Sequence, residues 1–295
     1  MKKVIARYFY SPICTESFAS LDRLRRLFNT MKEHVHFEAF NTIKDHFDSA
    51  FPWFTNEKEL LATLEGTGNK PLTYSKLFIE GNEIKGFPPS KKMIGQILQA
   101  YDINFQQEAY QTYYKQTNHD SWDISVDKLK VRKYEKKLLK DVCLVCTKYN
   151  PFLEIGDYMK ENWNEYEALK ESYLEEKLQE EKMIGFIAYY EEQPVGFIEA
   201  FPLKLAAKLG FPISDVNLNG IMITCLNIRK EVSGNGIASK LVKEISNEAG
   251  NRNYQSIEVL AFPDKSNWQP ISLYQAQGYT SVKTLEDLSL MRKDF

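Results

Sequence analysis

Ile221-Met222-Ile223-Thr224-Cys225-Leu226-Asn227-Ile228 is followed by the short connector Arg229-Lys230-Glu231-Val232, and then by Ser233-Gly234-Asn235-Gly236-Ile237-Ala238. The first eight residues form an apolar run bounded by Gly220 and Arg229, the pattern of a strand covered on both faces. Beyond the glycines, Ile237, Leu241, Ile245 and Ala249 recur every four residues, which predicts a helix with one apolar stripe. Gly250 stands where a left-handed cap would end that helix. The helix therefore begins inside a glycine loop at the end of a buried strand. The first N–H groups of a helix lack intrahelical partners and sit at the positive end of its dipole. Gly234 and Gly236 have no Cβ, so the backbone there can approach a ligand closely. A pyrophosphate suits such a turn.

The surrounding segments place this turn in a layered fold. A strand near Leu129 to Lys133 and a helix through Leu138, Val142 and Val145 open the C-terminal half. Leu153 to Lys182 is strongly acidic and helical in pattern. Met183 to Tyr190 and Val195 to Phe201 read as strands joined by a turn at Glu191 to Pro194. Ser256 to Phe262 is a further strand, with a short helix from about Asn267 to Gln277 after it. Alternating strands and helices argue for an α/β or α+β fold.

A dinucleotide-binding turn competes for the glycine loop, because Gly234-Asn235-Gly236 matches the start of G-x-G-x-x-G. The third glycine falls at Ser239, however, and Arg229 to Ser233 separate the strand from the first glycine. Glu258, at the distance of a ribose ligand, lies inside the next strand pattern.

A second segment sharpens the reading. Asn267-Trp268-Gln269-Pro270-Ile271-Ser272-Leu273-Tyr274-Gln275-Ala276-Gln277-Gly278-Tyr279 resembles the N-x-x-(A/P)-x-x-L-Y-x-x-x-G-(F/Y) helix of the GNAT superfamily of N-acetyltransferases. Ser233 to Ala238 is similar to that superfamily's (Q/R)-x-x-G-x-(G/A) loop. Ser233 stands where the family has Gln or Arg, which removes one side-chain contact and leaves the backbone cradle. The resemblance covers Lys128 to Phe295 and implies a mixed, splayed β-sheet with acetyl-CoA as co-substrate.

It also implies roles for particular residues. Ser233, Gly234, Asn235, Gly236, Ile237 and Ala238 would hold the pyrophosphate. Leu226, Asn227 and Ile228 would offer backbone groups to the pantetheine arm and the thioester carbonyl. Asn267 would contact the coenzyme or cap its helix. Tyr274 matches the family tyrosine that protonates the departing thiolate. An amine must lose a proton before it attacks, and Glu199, on an apolar strand, is the carboxylate nearest the expected acceptor side. The acidic stretch Glu154 to Glu181, with Trp163, Tyr166 and Tyr173, would border that side as a rim suited to a cationic amine, or form a solvated helical face.

In the first half, Val4 to Tyr10 reads as a strand ended by Ser11-Pro12. Phe18, Leu21, Leu24, Leu27 and Phe28 mark a helix over Glu16 to Met31. Val35 to Phe40 is a second strand. Leu72 to Glu80 and Glu83 to Lys85 flank a turn signal at Gly81-Asn82, and Ser90 can cap a helix running to about Tyr101. This order is similar to the thioredoxin fold. Cys14-Thr15-Glu16-Ser17 stands at the end of the first strand, where a helix N-terminus lowers a thiol's pKa. Ser17 replaces the second thiol and Ser75 stands about where that fold has a cis-proline. The resemblance thus implies a degenerate thioredoxin-like unit used for docking or packing. A thiol-transfer protein built on Cys14, with a nucleotide-binding second domain, is the rival function; a non-catalytic coenzyme A sensor is a third.

The expected organisation is a thioredoxin-like domain over 1–115, a linker over 116–127 and an acyltransferase domain over 128–295. Lys+Arg 38 against Asp+Glu 40 gives a net charge of −2, without the basic excess of a nucleic-acid binder. No stretch approaches a membrane span of roughly 20 apolar residues, and Met1 to Tyr10 has no leader pattern. Four cysteines in 295 residues fit reduced thiols of a cytoplasmic protein rather than a disulfide framework. Cys143-Leu144-Val145-Cys146 has no second pair, and His34, His36, His46 and His119 have no ligand spacing with it, so no metal is expected. The acceptor is expected to be a small-molecule or protein amine, with no nucleic acid or membrane as partner and room for a homodimer.

Overall fold

The computed structural model describes residues 2–65, 74–106, 110, 122, 124–146, 157–180, 182–215, 218–264 and 268–295. The chain divides into two compact units. One comprises 1–114, 154–163 and 208–211, the other 115–153, 164–207 and 212–295.

The first unit carries a four-stranded mixed sheet in the order β2-β1-β3-β4. β1 (Val4–Tyr10) and β2 (Val35–Asn41) run parallel, from Val4↔Val35 to Tyr10↔Asn41. Parallel neighbours need a crossover, and α1 (Thr15–Asn29) supplies it with Phe18, Leu21, Leu24, Leu27 and Phe28 all buried. α2 (Thr55–Glu65), which is not among the expected elements, adds Leu61 and Leu64 to a cluster with Phe9, Trp53 and Phe78. Arg7 is buried within the sheet and pairs with Glu38 and Glu57 at 2.8 Å each.

β3 (Lys76–Ile79) pairs antiparallel with β1 and with β4 (Asn82–Ile84). The β3–β4 turn is Glu80-Gly81, both with positive φ, one residue earlier than the Gly81-Asn82 signal suggested. Two positive φ values define the tight turn whose twist matches its strands. Ser90 caps α3 (Lys91–Gln99) by accepting from Met93 N at 3.3 Å.

The second unit is built on a seven-stranded mixed sheet, ordered β10-β11-β9-β8-β7-β6-β5. Its strands are β5 (Lys130–Lys133), β6 (Ile184–Tyr190), β7 (Gln193–Pro202), β8 (Gly220–Ile228), β9 (Ser256–Ala261), β10 (Thr280–Leu285) and β11 (Leu288–Asp294). The β6–β7 turn places Glu191 and Glu192 at positive φ, a conformation glutamate rarely adopts. The turn expected over Glu191 to Pro194 is present but closes in its first two residues, with Gln193 and Pro194 already in β7.

α4 (Leu139–Cys146) packs on β7 and β8, and α7 (Ile237–Asn251) packs on β6, β7, β8 and β9. Ile237, Leu241, Ile245 and Ala249 join Leu226, Ile198 and Ile223 in one core on the α7 side. α7 runs through Gly250 to Asn251, and Asn253 takes the left-handed conformation after it. α5 (Asp157–Gln179), α6 (Leu203–Lys208) and α8 (Ile271–Gln275) complete the helices. Ile124, within the stretch expected to be linker, is buried in this same core. Among the described residues no cysteine is joined in a disulfide. Among the described residues no helix is long and apolar enough to cross a membrane, and no group of three metal-ligand side chains occurs.

Candidate active site

β8 positions the site. It keeps β7 as antiparallel neighbour from Pro202↔Ile221 to Gly196↔Ile228. Its parallel pairing with β9 covers only Gly220↔Ser256 to Ile223↔Val259. From Thr224 onward no ladder pair joins β8 to β9 among the described residues, so the sheet splays there. The bend has a local cause. Register passes from Glu199↔Cys225 to Ala200↔Ile223, leaving Thr224 as the extra residue of a bulge, and bulges bend the strand that carries them.

β8 ends in a 3-10 turn, Lys230–Val232, that leads to the glycine loop. Gly234 has φ 87° and Gly236 has φ 75°, values that suit glycine. A Cβ on Gly234 would meet nothing within 4 Å, so that position faces open space. Gly236 is the N-cap of α7; no side chain caps the helix, and no acidic residue sits in its first turn. The N–H groups of that turn are therefore left for a ligand. Lys240 would place a cation at the wrong end of the dipole. Its ammonium is instead held by Val126 O at 3.2 Å and Leu129 O at 3.1 Å. Asn235 turns away from solvent, donating to Val232 O at 3.2 Å and Trp122 O at 3.5 Å, which braces the loop.

A cleft of about 340 Å³ joins the splay to the loop. Of the expected coenzyme residues, Leu226, Ile228, Ser233, Gly234, Gly236, Ile237 and Ala238 line it. Trp268, Gln269, Pro270 and Leu273 form the opposite wall; Pro270 and Leu273 are motif positions, but none of the four is among the expected coenzyme residues. The signal available for them was their place between Asn267 and Tyr274. Asn267 itself lies outside the described residues.

Tyr274 is fully buried and does not line the cleft. Its hydroxyl donates to Gln269 Oε1 at 3.0 Å. Burial, reinforced by Tyr279, holds its pKa well above the usual phenol range, so it remains protonated at neutral pH.

Strand alternation sends Glu199 elsewhere. Glu199↔Cys225 and Phe197↔Asn227 are paired across β7 and β8, and directly paired residues share a face. That is the face opposite Leu226 and Ile198, which pack with α7. Glu199 is 5% exposed, accepts from Tyr134 Oη at 3.3 Å, and lies 3.9 Å from Lys170 Nζ. Burial raises its pKa, while Lys170 and Tyr134 pull it back. Burial alone would lower Lys170, but Cys146, Glu199 and the other nearby acidic groups hold it well above its usual value. Burial pushes the neighbouring Cys143 thiol up to about 12. Tyr134 follows β5, Cys143 and Cys146 lie on α4, Lys170 on α5 and Glu199 on β7, so no spacing in the sequence announces that these side chains meet.

Asn227 is 4% exposed; its Nδ2 donates to Cys225 Sγ at 3.4 Å while its Oδ1 has no hydrogen-bond partner among the described residues. Tyr166 and Tyr173 are buried rather than displayed along an acidic rim. The side chain of Trp163 lies outside the described residues. In the first unit, Cys14 is the N-cap of α1 and partly exposed. Ser17 Oγ accepts from Ser11 N at 3.1 Å, and Ser75 Oγ lies 2.5 Å from the buried Tyr8 hydroxyl.

Comparison with known proteins bears on the second unit. Residues 152–279 match the family described as acetyltransferase (GNAT) family. No curated protein matches the chain. The fold is similar to the PaiA N-acetyltransferase of Thermoplasma acidophilum in complex with coenzyme A, at 18% identity and TM-score 0.42 over 57% of this chain and 99% of that one. It is similar to a ribosomal-protein-alanine N-acetyltransferase of Brucella melitensis, at 15% identity and TM-score 0.40 over 56% and 99%. A GNAT family N-acetyltransferase of Escherichia coli in complex with CoA aligns at 13% identity and TM-score 0.40 over 57% and 81%.

Proposed function

We propose that the GNAT acetyltransferase domain matched over 152–279 moves an acetyl group from acetyl-CoA to a primary amine by direct attack on the thioester. One observation carries this reading. The stretch of β8 that has left β9, the glycine loop and the uncapped start of α7 meet in a single cleft.

The backbone N–H groups at Gly234 to Ala238 would hold the pyrophosphate, where helix dipole and open donors both favour an anion. The free edge of Leu226, Asn227 and Ile228 would run along the pantetheine arm. An N–H from that edge, aimed at the thioester oxygen, stabilises the negative charge that develops during attack. Gln269 lines the cleft and holds the Tyr274 hydroxyl, so a small shift of Gln269 would turn that hydroxyl toward a departing thiolate. Its raised pKa makes it a hydrogen-bond donor to that sulfur more readily than a full proton donor. Glu199 is engaged by Lys170 and Tyr134, which favours proton loss through water over Glu199 as the base.

The β1-α1-β2 crossover followed by the β3-β4 hairpin and α3 supports a thioredoxin-like reading of the first unit. Ser17, occupied by Ser11 N, supports a non-redox role for it.

Thermal unfolding with acetyl-CoA, NAD and glutathione tests the reading. A ligand at about 100 times its dissociation constant adds roughly 2.7 kcal/mol. A raised midpoint with acetyl-CoA alone is expected; a rise only with NAD or glutathione rejects the transferase.

A further inference from the structure

Lys170 is an unusual residue to find inside a protein, since lysine is almost never fully buried without a partner. It is 8% exposed, and its ammonium donates to Cys146 Sγ at 3.0 Å. Cys146 is 2% exposed. The two come from different helices, α5 and α4, and meet over β7, where Lys170 Nζ also lies 5.1 Å from the Phe197 ring centroid. Neither lines the coenzyme cleft.

We propose that Lys170 Nζ and Cys146 Sγ form a covalent modification site, at which peroxide joins the two side chains through one bridging oxygen, N–O–S. An amine and a thiol held at hydrogen-bond distance have already given up most of the freedom that a bimolecular reaction would cost. One oxygen atom spans a gap of that size.

The chemistry balances with hydrogen peroxide as oxidant. Two peroxides each accept two electrons. One oxidises the thiol to the sulfenic acid, the first rung of cysteine oxidation; the other oxidises the amine to the hydroxylamine level. Condensation forms the S–O bond as the sulfenic S–OH bond breaks; the S–H hydrogen, one of the two amine N–H hydrogens and the rest of the peroxides leave as three waters, and the nitrogen keeps one hydrogen. Lys170 must first shed its ammonium proton. Glu199 Oε1, 3.9 Å away, is the carboxylate that can receive it. The product replaces a buried ion pair by neutral groups, which removes a desolvation cost.

A disulfide is the weaker competitor here. Cys143 and Cys146 are three residues apart on α4. That spacing holds Cβ atoms roughly 5–6 Å apart, wider than the mean of about 3.8 Å in a disulfide. Cys143 Sγ instead points to Glu167 O at 3.9 Å. Bridging Lys170 to Cys146 would staple α4 to α5 across the face that carries Glu199.

The test is intact mass spectrometry of the full chain after hydrogen peroxide treatment, without reductant. The expected species is heavier by one oxygen and lighter by two hydrogens, and dithiothreitol reverts it. Digestion should link the Cys146 peptide to the Lys170 peptide. Lys170→Arg and Cys146→Ser should each lose the species, and Glu199→Gln should form it more slowly. The linked wild-type peptide decides the matter even if a variant fails to fold. An unchanged mass, whole-oxygen additions alone, loss of two hydrogens alone, or persistence of the species in Lys170→Arg would overturn the proposal.

Discussion

Tyr274 on α8 donates its hydroxyl to Gln269 Oε1 at 3.0 Å, and of the two only Gln269 lines the cleft proposed to take the coenzyme. The tyrosine therefore stands one side chain behind the surface on which it is proposed to act. Tyr274→Phe is expected to lower kcat about 10- to 100-fold, the range of a lost hydrogen bond to a charged group of roughly 1.5–3 kcal/mol. The acetyl-CoA shift in unfolding midpoint should be retained. Gln269→Ala should instead lower stability by roughly 1–3 kcal/mol, because it orphans a buried hydroxyl. An unchanged rate in Tyr274→Phe removes the residue from the mechanism.

Gly234 offers a separate handle on the loop proposed to hold the coenzyme. Its φ is 87° and an added Cβ would meet nothing within 4 Å, so Gly234→Ala introduces backbone strain without a clash. A left-handed conformation costs an L-residue about 1–2 kcal/mol. We expect acetyl-CoA to bind roughly ten-fold more weakly in titration calorimetry, with the fold retained. Equal affinity would mean the loop does not hold the coenzyme in this conformation.

Gly185 and Tyr134 are fitted to each other. A Cβ on Gly185 would overlap the Tyr134 ring, whose hydroxyl donates to Glu199. Gly185→Ala should cost about 1–3 kcal/mol as overpacking, read from urea unfolding. Tyr134→Phe keeps the ring and should leave more of the stability, losing only the hydrogen bond.

Glu199 makes a pH prediction. Burial raises its pKa above the ordinary carboxylate range, so the folded chain holds this proton more tightly than the unfolded chain. The stability this contributes is full below the unfolded pKa and is lost as pH rises through the folded one. Lys170, also raised, titrates only in alkali and leaves that window untouched. Wild-type urea midpoints compared with Glu199→Gln between about pH 4 and about pH 8 should show the decline only in wild type. Parallel curves would refute the assignment.

The sequence alone carried a good part of this. β1 spans Val4–Tyr10, the bounds its β-branched and aromatic run and Ser11-Pro12 predict, and Ser90 caps α3 as expected. Helix periodicity and capping are local properties that a few neighbouring residues decide. The misses are local too, but chemically silent. Glu80, Glu191 and Glu192 adopt positive φ that their side chains do not advertise, and Gly250, a glycine at a helix end, carries the signal of a cap while α7 runs on to Asn251.

What the chain determined by itself is the strand, the glycine loop and the helix from Ile221 to Ala249, because apolar period and backbone freedom act over a few residues. The tertiary structure decided the rest. The Thr224 bulge bends β8 away from β9 and opens the cleft, Gln269 comes to stand before Tyr274, and Lys170 meets both Cys146 and Glu199. Each of these depends on packing between elements far apart in the chain, where burial sets the electrostatics and no spacing in the sequence encodes the encounter.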